Sequence, residues 1–326
     1  MGSISGKSIL FFSPRFFAYE KEIKIALEKL GANVIWADDR PSNSFITKLL
    51  IRLNKNLLKG ITEKYYNQVL NSLKENYFDY ILFISPESLT RVSLKRIKDK
   101  FKSSKFIFYM WDSFENKQSI ELLDLFDSIL TFDSKDAENY NLKLRPLFYI
   151  ETYKEKKENE IIYDLLFIGT AHSDRYKFIE KFIKPSFTGM NIKLYFFLSS
   201  KKLFWLKKFL NKDFRLVRYR EVSFKSLSHK DNSNFMNESK VILDINHPKQ
   251  VGLTMRTIET LGVQKKLITT NKNILNYDFY NKDNILVIDR NNPQIDMDFV
   301  KKPFNPSNDA ILNKYSINGW IDDVFN

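Results

Sequence analysis

Residues suited to holding an anion and a diol fall together in the run Gly252-Leu253-Thr254-Met255-Arg256-Thr257-Ile258-Glu259. Glycine permits close backbone approach, and threonine suits a helix N-cap. The first turn of a helix leaves N–H groups with no intrahelical acceptor, and the helix dipole adds to their pull on a phosphate. Arg256 in that turn adds a guanidinium able to grip two phosphate oxygens. Glu259, about one turn on, is spaced to accept hydrogen bonds from a ribose diol. An ordinary strand–loop–helix with a glycine at its turn gives the same pattern. Two histidines beside strand ends, His172 and His247, read either as ligand contacts or as plain loop residues.

Such a run needs a strand before it and a helix after it, and the chain supplies both repeatedly. Its 326 residues suit two domains rather than one. With 43% apolar residues, disorder is excluded as a description of the whole. There is no cysteine and there are three histidines, so disulfides, thiolate sites and a multi-histidine metal site drop out. A net charge of +13 favours phosphate-bearing partners or anionic membrane surfaces without choosing among them. No stretch reaches the roughly 20 apolar residues of a membrane-spanning helix, and the N-terminus does not read as a secretory leader. A cytoplasmic protein is expected, with any membrane contact peripheral and on the inner face.

Short apolar runs alternate with segments of helical period, the mark of βαβ units and parallel sheets. Strands are expected at 8–13, 33–37, 80–85, 105–109, 128–132 and 145–150. After the charged stretch 151–160, read as a linker, the pattern restarts with strands at 164–169, 193–198, 214–219, 241–245, 266–270 and 284–288. The expected organisation is therefore a Rossmann-like domain over 1–150, a second over 161–308, and a terminal helix over 309–326 with Trp320 on its apolar side. The fold class is α/β with two doubly wound halves.

One insertion stands apart. Residues 45–61 place Ile46, Leu49, Leu50, Leu53, Leu57 and Ile61 at helical spacing, with Lys48, Arg52, Lys55 and Lys59 on the other side. Either a core helix with a solvated basic face or a basic amphipathic helix lying on an anionic bilayer fits this. Lys201–Lys212 is a shorter stretch of the same kind.

The run from Gly252 to Gly262, followed by Lys266-Leu267-Ile268-Thr269-Thr270-Asn271, resembles the donor-site signature of bacterial GT-B glycosyltransferases. The loop Phe167 to Arg175 is similar to the first loop of that family's donor domain. The resemblance implies two Rossmann-like domains facing a cleft, with the last helix crossing back onto the first. It places the nucleotide-sugar on the second half, with Gly169, Thr170, His172, Arg175, His247 and the Gly252, Leu253 and Thr254 backbone near donor phosphate or sugar. Arg256 is then on the diphosphate and Glu259 on the ribose. UDP is the expected nucleotide, and a saccharide or undecaprenyl-linked acceptor in surface-polysaccharide assembly is the expected second substrate. The paired glutamates of many retaining members are missing, since Lys249 and Gln250 stand near the first position.

The first half would then supply the acceptor site and a base. Asp112 and Glu115, in the loop Tyr109–Glu115 beside Trp111, are the first candidates, and Glu20 is the next. Asp112 with Glu115 three residues on also reads as a capping box. No metal or other cofactor is expected, because helix starts and basic side chains hold the leaving diphosphate in this class. A non-catalytic nucleotide- or nucleic-acid-binding two-domain protein is the alternative. No helix-turn-helix, RNP or zinc signature supports nucleic-acid binding.

Overall fold

The computed structural model describes residues 4–115, 119–155, 160–171, 174–248 and 251–326. They form two compact units: Met1–Leu147 with Ile317–Asn326, and Phe148–Ser316.

The first unit holds a six-stranded parallel sheet of β1 (Ser8–Ser13), β2 (Asn33–Asp38), β3 (Tyr80–Ile84), β4 (Lys105–Met110), β5 (Ser128–Thr131) and β6 (Lys143–Leu144). Its order is β2-β1-β3-β4-β5-β6. β1, β3 and β4 are buried at nearly every position. Unbroken apolar runs such as Ile9–Phe12 and Ile81–Ile84 are what a parallel sheet covered on both faces requires. The helix Ile317–Phe325 completes this unit. It buries Trp320 against the Tyr109 ring at 5.1 Å, and Asp323 pairs with the buried Arg145 at 2.7 Å.

The second unit holds β7 (Tyr163–Thr170), β8 (Ile192–Phe197), β9 (Val222–Ser223), β10 (Ser239–Asp244), β11 (Lys266–Thr269) and β12 (Ile285–Val287), again parallel. The sheet order is β12-β11-β10-β7-β8-β9. Numbered within the unit this is 3-2-1-4-5-6, the dinucleotide-fold order.

Four expectations change. Residues 145–150 are not a strand; the edge strand is β6, and Tyr149 makes only an isolated bridge to Ser316. Residues 214–219 are not one either. Phe214 and Val217 are buried three apart while Leu216 and Tyr219 face out, the spacing of a 3₁₀ turn rather than a strand. The stretch 151–160 is not wholly a linker. Phe148, Ile150 and Tyr153 are buried in the second unit, their apolar area outweighing the charges around them, while 156–159 lie outside the described residues. The single helix expected over 309–326 is two, Asp309–Tyr315 in the second unit and Ile317–Phe325 in the first, divided where Ser316 is extended.

Candidate functional site

In an open parallel sheet, ligands sit beyond the carboxyl ends of the strands where the winding reverses. In the second unit that point lies between β7 and β10. The described residues leaving it are 171, 174, 245–248 and 251–254, flanked by 270–272 after β11.

These loops are fastened by side chains. Arg175 donates from Nε to the Ile245 carbonyl at 2.8 Å and from Nη1 to Thr170 Oγ1 at 3.0 Å. Burial lowers its pKa, and among the described residues no carboxylate stands within ion-pair distance of it. Arg290 grips Asp174 with two prongs, at 2.8 and 2.9 Å, and donates to the Asn246 carbonyl at 3.0 Å. The hydrogen bond from Arg290 lowers the pKa of Asp174. Thr270 donates to Asn246 Oδ1 at 2.7 Å, and Asn271 Nδ2 donates to the Val251 and Gly252 carbonyls at 3.1 and 3.3 Å.

The helix Met255–Gly262 starts inside this frame. Thr254 is its N-cap, and its Oγ1 accepts the Thr257 N–H at 3.3 Å. The same hydroxyl donates to Asp244 Oδ2 at 2.6 Å, and the Thr257 hydroxyl donates to that oxygen at 2.8 Å. Asp244 ends β10, so one buried carboxylate ties strand end to helix start. The first-turn N–H groups and the Arg175 guanidinium form the positive part of this loop cluster.

Two expected ligand contacts are turned elsewhere. Glu259 is 3% exposed, and its Oε2 lies 2.8 Å from Nη1 of Arg256. That nitrogen also donates to Asn232 Oδ1 at 3.0 Å. Asn232 donates in turn to the Tyr153 hydroxyl at 2.7 Å, whose pKa burial raises. With Glu259 buried and Arg256 bound to it, the pair serves as an internal tie between the helix, the helix His229–Asn237 and the segment 151–153. Both residues expected on the ribose and diphosphate therefore have partners within the protein.

Gly262, at the far end of the same helix, is demanded by packing. A Cβ there would lie 2.6 Å from the Tyr153 carbonyl oxygen and 2.7 Å from the Tyr149 ring. Gly169 likewise makes room for the Phe167 ring, which a Cβ would meet at 2.7 Å. Leu253 is buried, His247 is exposed, and His172 lies outside the described residues.

In the first unit the winding reverses between β1 and β3. Here non-glycine residues take left-handed backbone: Phe17 (φ 48) and Ala18 (φ 64) after β1, and Ser85 (φ 45) after β3. Such strain gathers where loops are held for function. Phe16 packs on Trp111, ring centroids 5.7 Å apart, and so joins the β1 loop to the loop after β4. Asp112 is half-buried there and accepts the Ser113 N–H at 2.9 Å. No helix begins at Asp112, so it is not a helix cap. Glu115 is exposed and pairs with Lys135 at 2.7 Å. Glu20 is buried, and its carboxylate accepts the Phe16 N–H at 3.1 Å, which fastens the strained turn.

Sequence reasoning missed the residues that hold these loops. Asp39, fully buried, accepts N–H groups of Glu87 and Ser88 at 2.7 and 2.8 Å and the Tyr66 hydroxyl at 2.7 Å, and burial raises its pKa. Asp136 accepts the Phe114 N–H at 2.9 Å and anchors the Asp112 loop. An acidic residue closing an apolar strand, as in Val241-Ile242-Leu243-Asp244 ahead of a capping threonine, was a usable signal for Asp244. Arg290 gave none. Among the described residues, no group of three or more acidic or histidine side chains could hold a metal.

No known family's sequence profile and no curated protein sequence matches this chain. Solved structures do. A glycosyltransferase from Rickettsia africae is 16% identical, with a TM-score of 0.56 over 97% of this chain and 96% of its own. Anabaena HepE, solved with UDP and glucose, is 12% identical, with a TM-score of 0.55 over 97% of this chain and 98% of its own. A UDP-GlcNAc 2-epimerase from Methanocaldococcus jannaschii is 12% identical, with a TM-score of 0.51 over 97% and 98%. At such identities the likeness establishes the fold, which is GT-B.

Proposed function

We propose that this GT-B chain is a glycosyltransferase that moves a sugar from UDP to a saccharide or undecaprenyl-linked acceptor in cell-surface polysaccharide synthesis. The observation carrying the proposal is the loop cluster between β7 and β10. There Arg175 and the Thr254-capped helix start present positive charge, braced by Asp244 and Arg290. HepE, with the same fold, was solved with UDP-glucose. That supports a UDP-sugar as donor.

The chemistry follows from these groups. The diphosphate rests on the first-turn N–H groups and on Arg175. As the acceptor oxygen attacks the anomeric carbon, the bond from that carbon to the diphosphate breaks. Negative charge grows on the leaving UDP where fixed donors already stand. Asp112, in the first unit, takes the acceptor's proton. Attack opposite the leaving group inverts the anomeric centre. Charge on the diphosphate is met by the protein's own donors, so no metal is required.

The test is incubation with UDP-glucose, UDP-galactose and UDP-N-acetylglucosamine plus a bacterial lipid extract. The expected result is UDP release with an acceptor heavier by one sugar residue. The epimerase on this fold motivates the second readout. A sugar altered while still attached to UDP, with no acceptor product, would replace transfer by epimerisation. Release or alteration from none of the donors would sink the proposal.

A further inference from the structure

The helix Phe45–Asn54, the 3₁₀ turn Lys55–Leu58 and the start of the helix Lys59–Ser72 are turned in an unusual sense. Phe45, Ile46, Leu49, Leu53, Leu57 and Ile61 face outward, each 44% to 70% exposed. The inward side carries Ile51, Leu58, Thr62 and a lysine, Lys55, which is buried and reaches Glu121 at 2.6 Å. A core-packing helix would show the opposite arrangement, apolar side in and lysine out. Arg52 and Lys59 remain exposed beside the apolar row. Across residues 45–61 there are four cations and no aspartate or glutamate.

We propose that this face docks the protein on an anionic lipid bilayer surface. A soluble protein rarely leaves a contiguous apolar row in water, so the row calls for a cover. Its aliphatic and aromatic side chains suit the acyl boundary, which such faces enter to a depth of roughly 5–10 Å. Arg52 and Lys59 suit acidic headgroups, and near the surface each strengthens attachment about five-fold. Lys55, held inward beside Glu121, lies on the side opposite Leu53 and Leu57. The inference rests on this face alone and stands apart from the sugar-transfer reading.

The experiment is vesicle flotation of the full chain, with no substrate present. Vesicles of phosphatidylcholine carrying roughly one-third phosphatidylglycerol should bind it, and pure phosphatidylcholine at least about ten-fold more weakly. Raising the salt should release it, because screening shortens the reach of the cations. The variant Leu49→Ser/Leu53→Ser/Leu57→Ser changes exposed positions only, so its melting temperature should stay near wild type while binding falls at least about ten-fold. Arg52→Gln/Lys59→Gln should lose the preference for anionic vesicles. A parallel variant, Trp205→Ser/Phe209→Ser, addresses the other outward apolar helix, Lys201–Leu210. Three results would overturn the proposal: wild type not binding anionic vesicles; the triple serine variant binding as well as wild type; or sedimentation showing a dimer that the triple variant dissolves, which would make the face a chain-to-chain interface.

Discussion

Arg256 and Glu259, three residues apart on one helix, hold each other across 2.8 Å with the carboxylate almost wholly buried. Removing one partner of such a pair leaves an uncompensated charge and costs about 3–5 kcal/mol. Glu259→Ala should therefore lower the thermal midpoint by about 10 °C. Arg256→Met/Glu259→Leu should recover much of that loss. A Glu259→Ala protein with an unchanged midpoint and no UDP binding would instead return Glu259 to the ribose.

Arg290 and Asp174 close the other side of the same loops. Arg290→Gln removes a two-pronged, charge-assisted contact of a kind worth about 1.5–3 kcal/mol, discounted here because Asp174 is partly in water. UDP affinity should fall about ten-fold with only a small change in melting. Sign matters for pH. The Asp174 pKa is lowered by Arg290, so its contribution is complete above the usual aspartate value of about 4 and is lost as pH falls through the lower folded value. Asp174→Asn should thus differ from wild type at neutral pH and converge with it in acid. A constant difference down to acid pH would contradict the pairing.

Asp112→Asn tests the base. General-base catalysis contributes about 10²- to 10⁴-fold, so turnover should drop by that much while calorimetric UDP affinity stays put. Asp112 sits in a loop with no helix at its back, so the substitution should leave stability alone. Near-normal turnover would pass the role to Glu115, since Glu20 is occupied by the Phe16 N–H.

Metal dependence is the fourth expectation. On the proposed mechanism, in excess EDTA turnover should stay within about a factor of two, because N–H groups and Arg175 would meet the diphosphate in place of a cation held by carboxylates. Loss restored by manganese would contradict this.

How far the sequence foretold these features depends on the range of the interactions. The β10 to β11 segment could be read because strand periodicity, a capping threonine and a glycine are local signals, and they lie within a few residues of one another. The direction Arg256 and Glu259 point could not, since spacing of three fits both an outward ligand pair and an inward ion pair. Asn232 and Tyr153, distant in sequence, settle it by standing behind the helix. Arg290 meets Asp174 across 116 positions, beyond any local pattern. The face at 45–61 was visible as amphipathic, but which side faced in depended on the distant elements that bury Ile51, Leu58, Thr62 and Lys55.

The most direct measurement is isothermal titration of UDP into the wild-type chain and into Arg175→Gln. Arg175 is held at the strand ends by Thr170 and the Ile245 carbonyl, beside the Thr254-capped helix start. Wild type should bind UDP, and Arg175→Gln should bind it about 10- to 100-fold more weakly, the loss of one charge-assisted contact, with an unchanged fold by circular dichroism. Absence of UDP binding by wild type, or equal binding by both proteins, would contradict a donor site between β7 and β10.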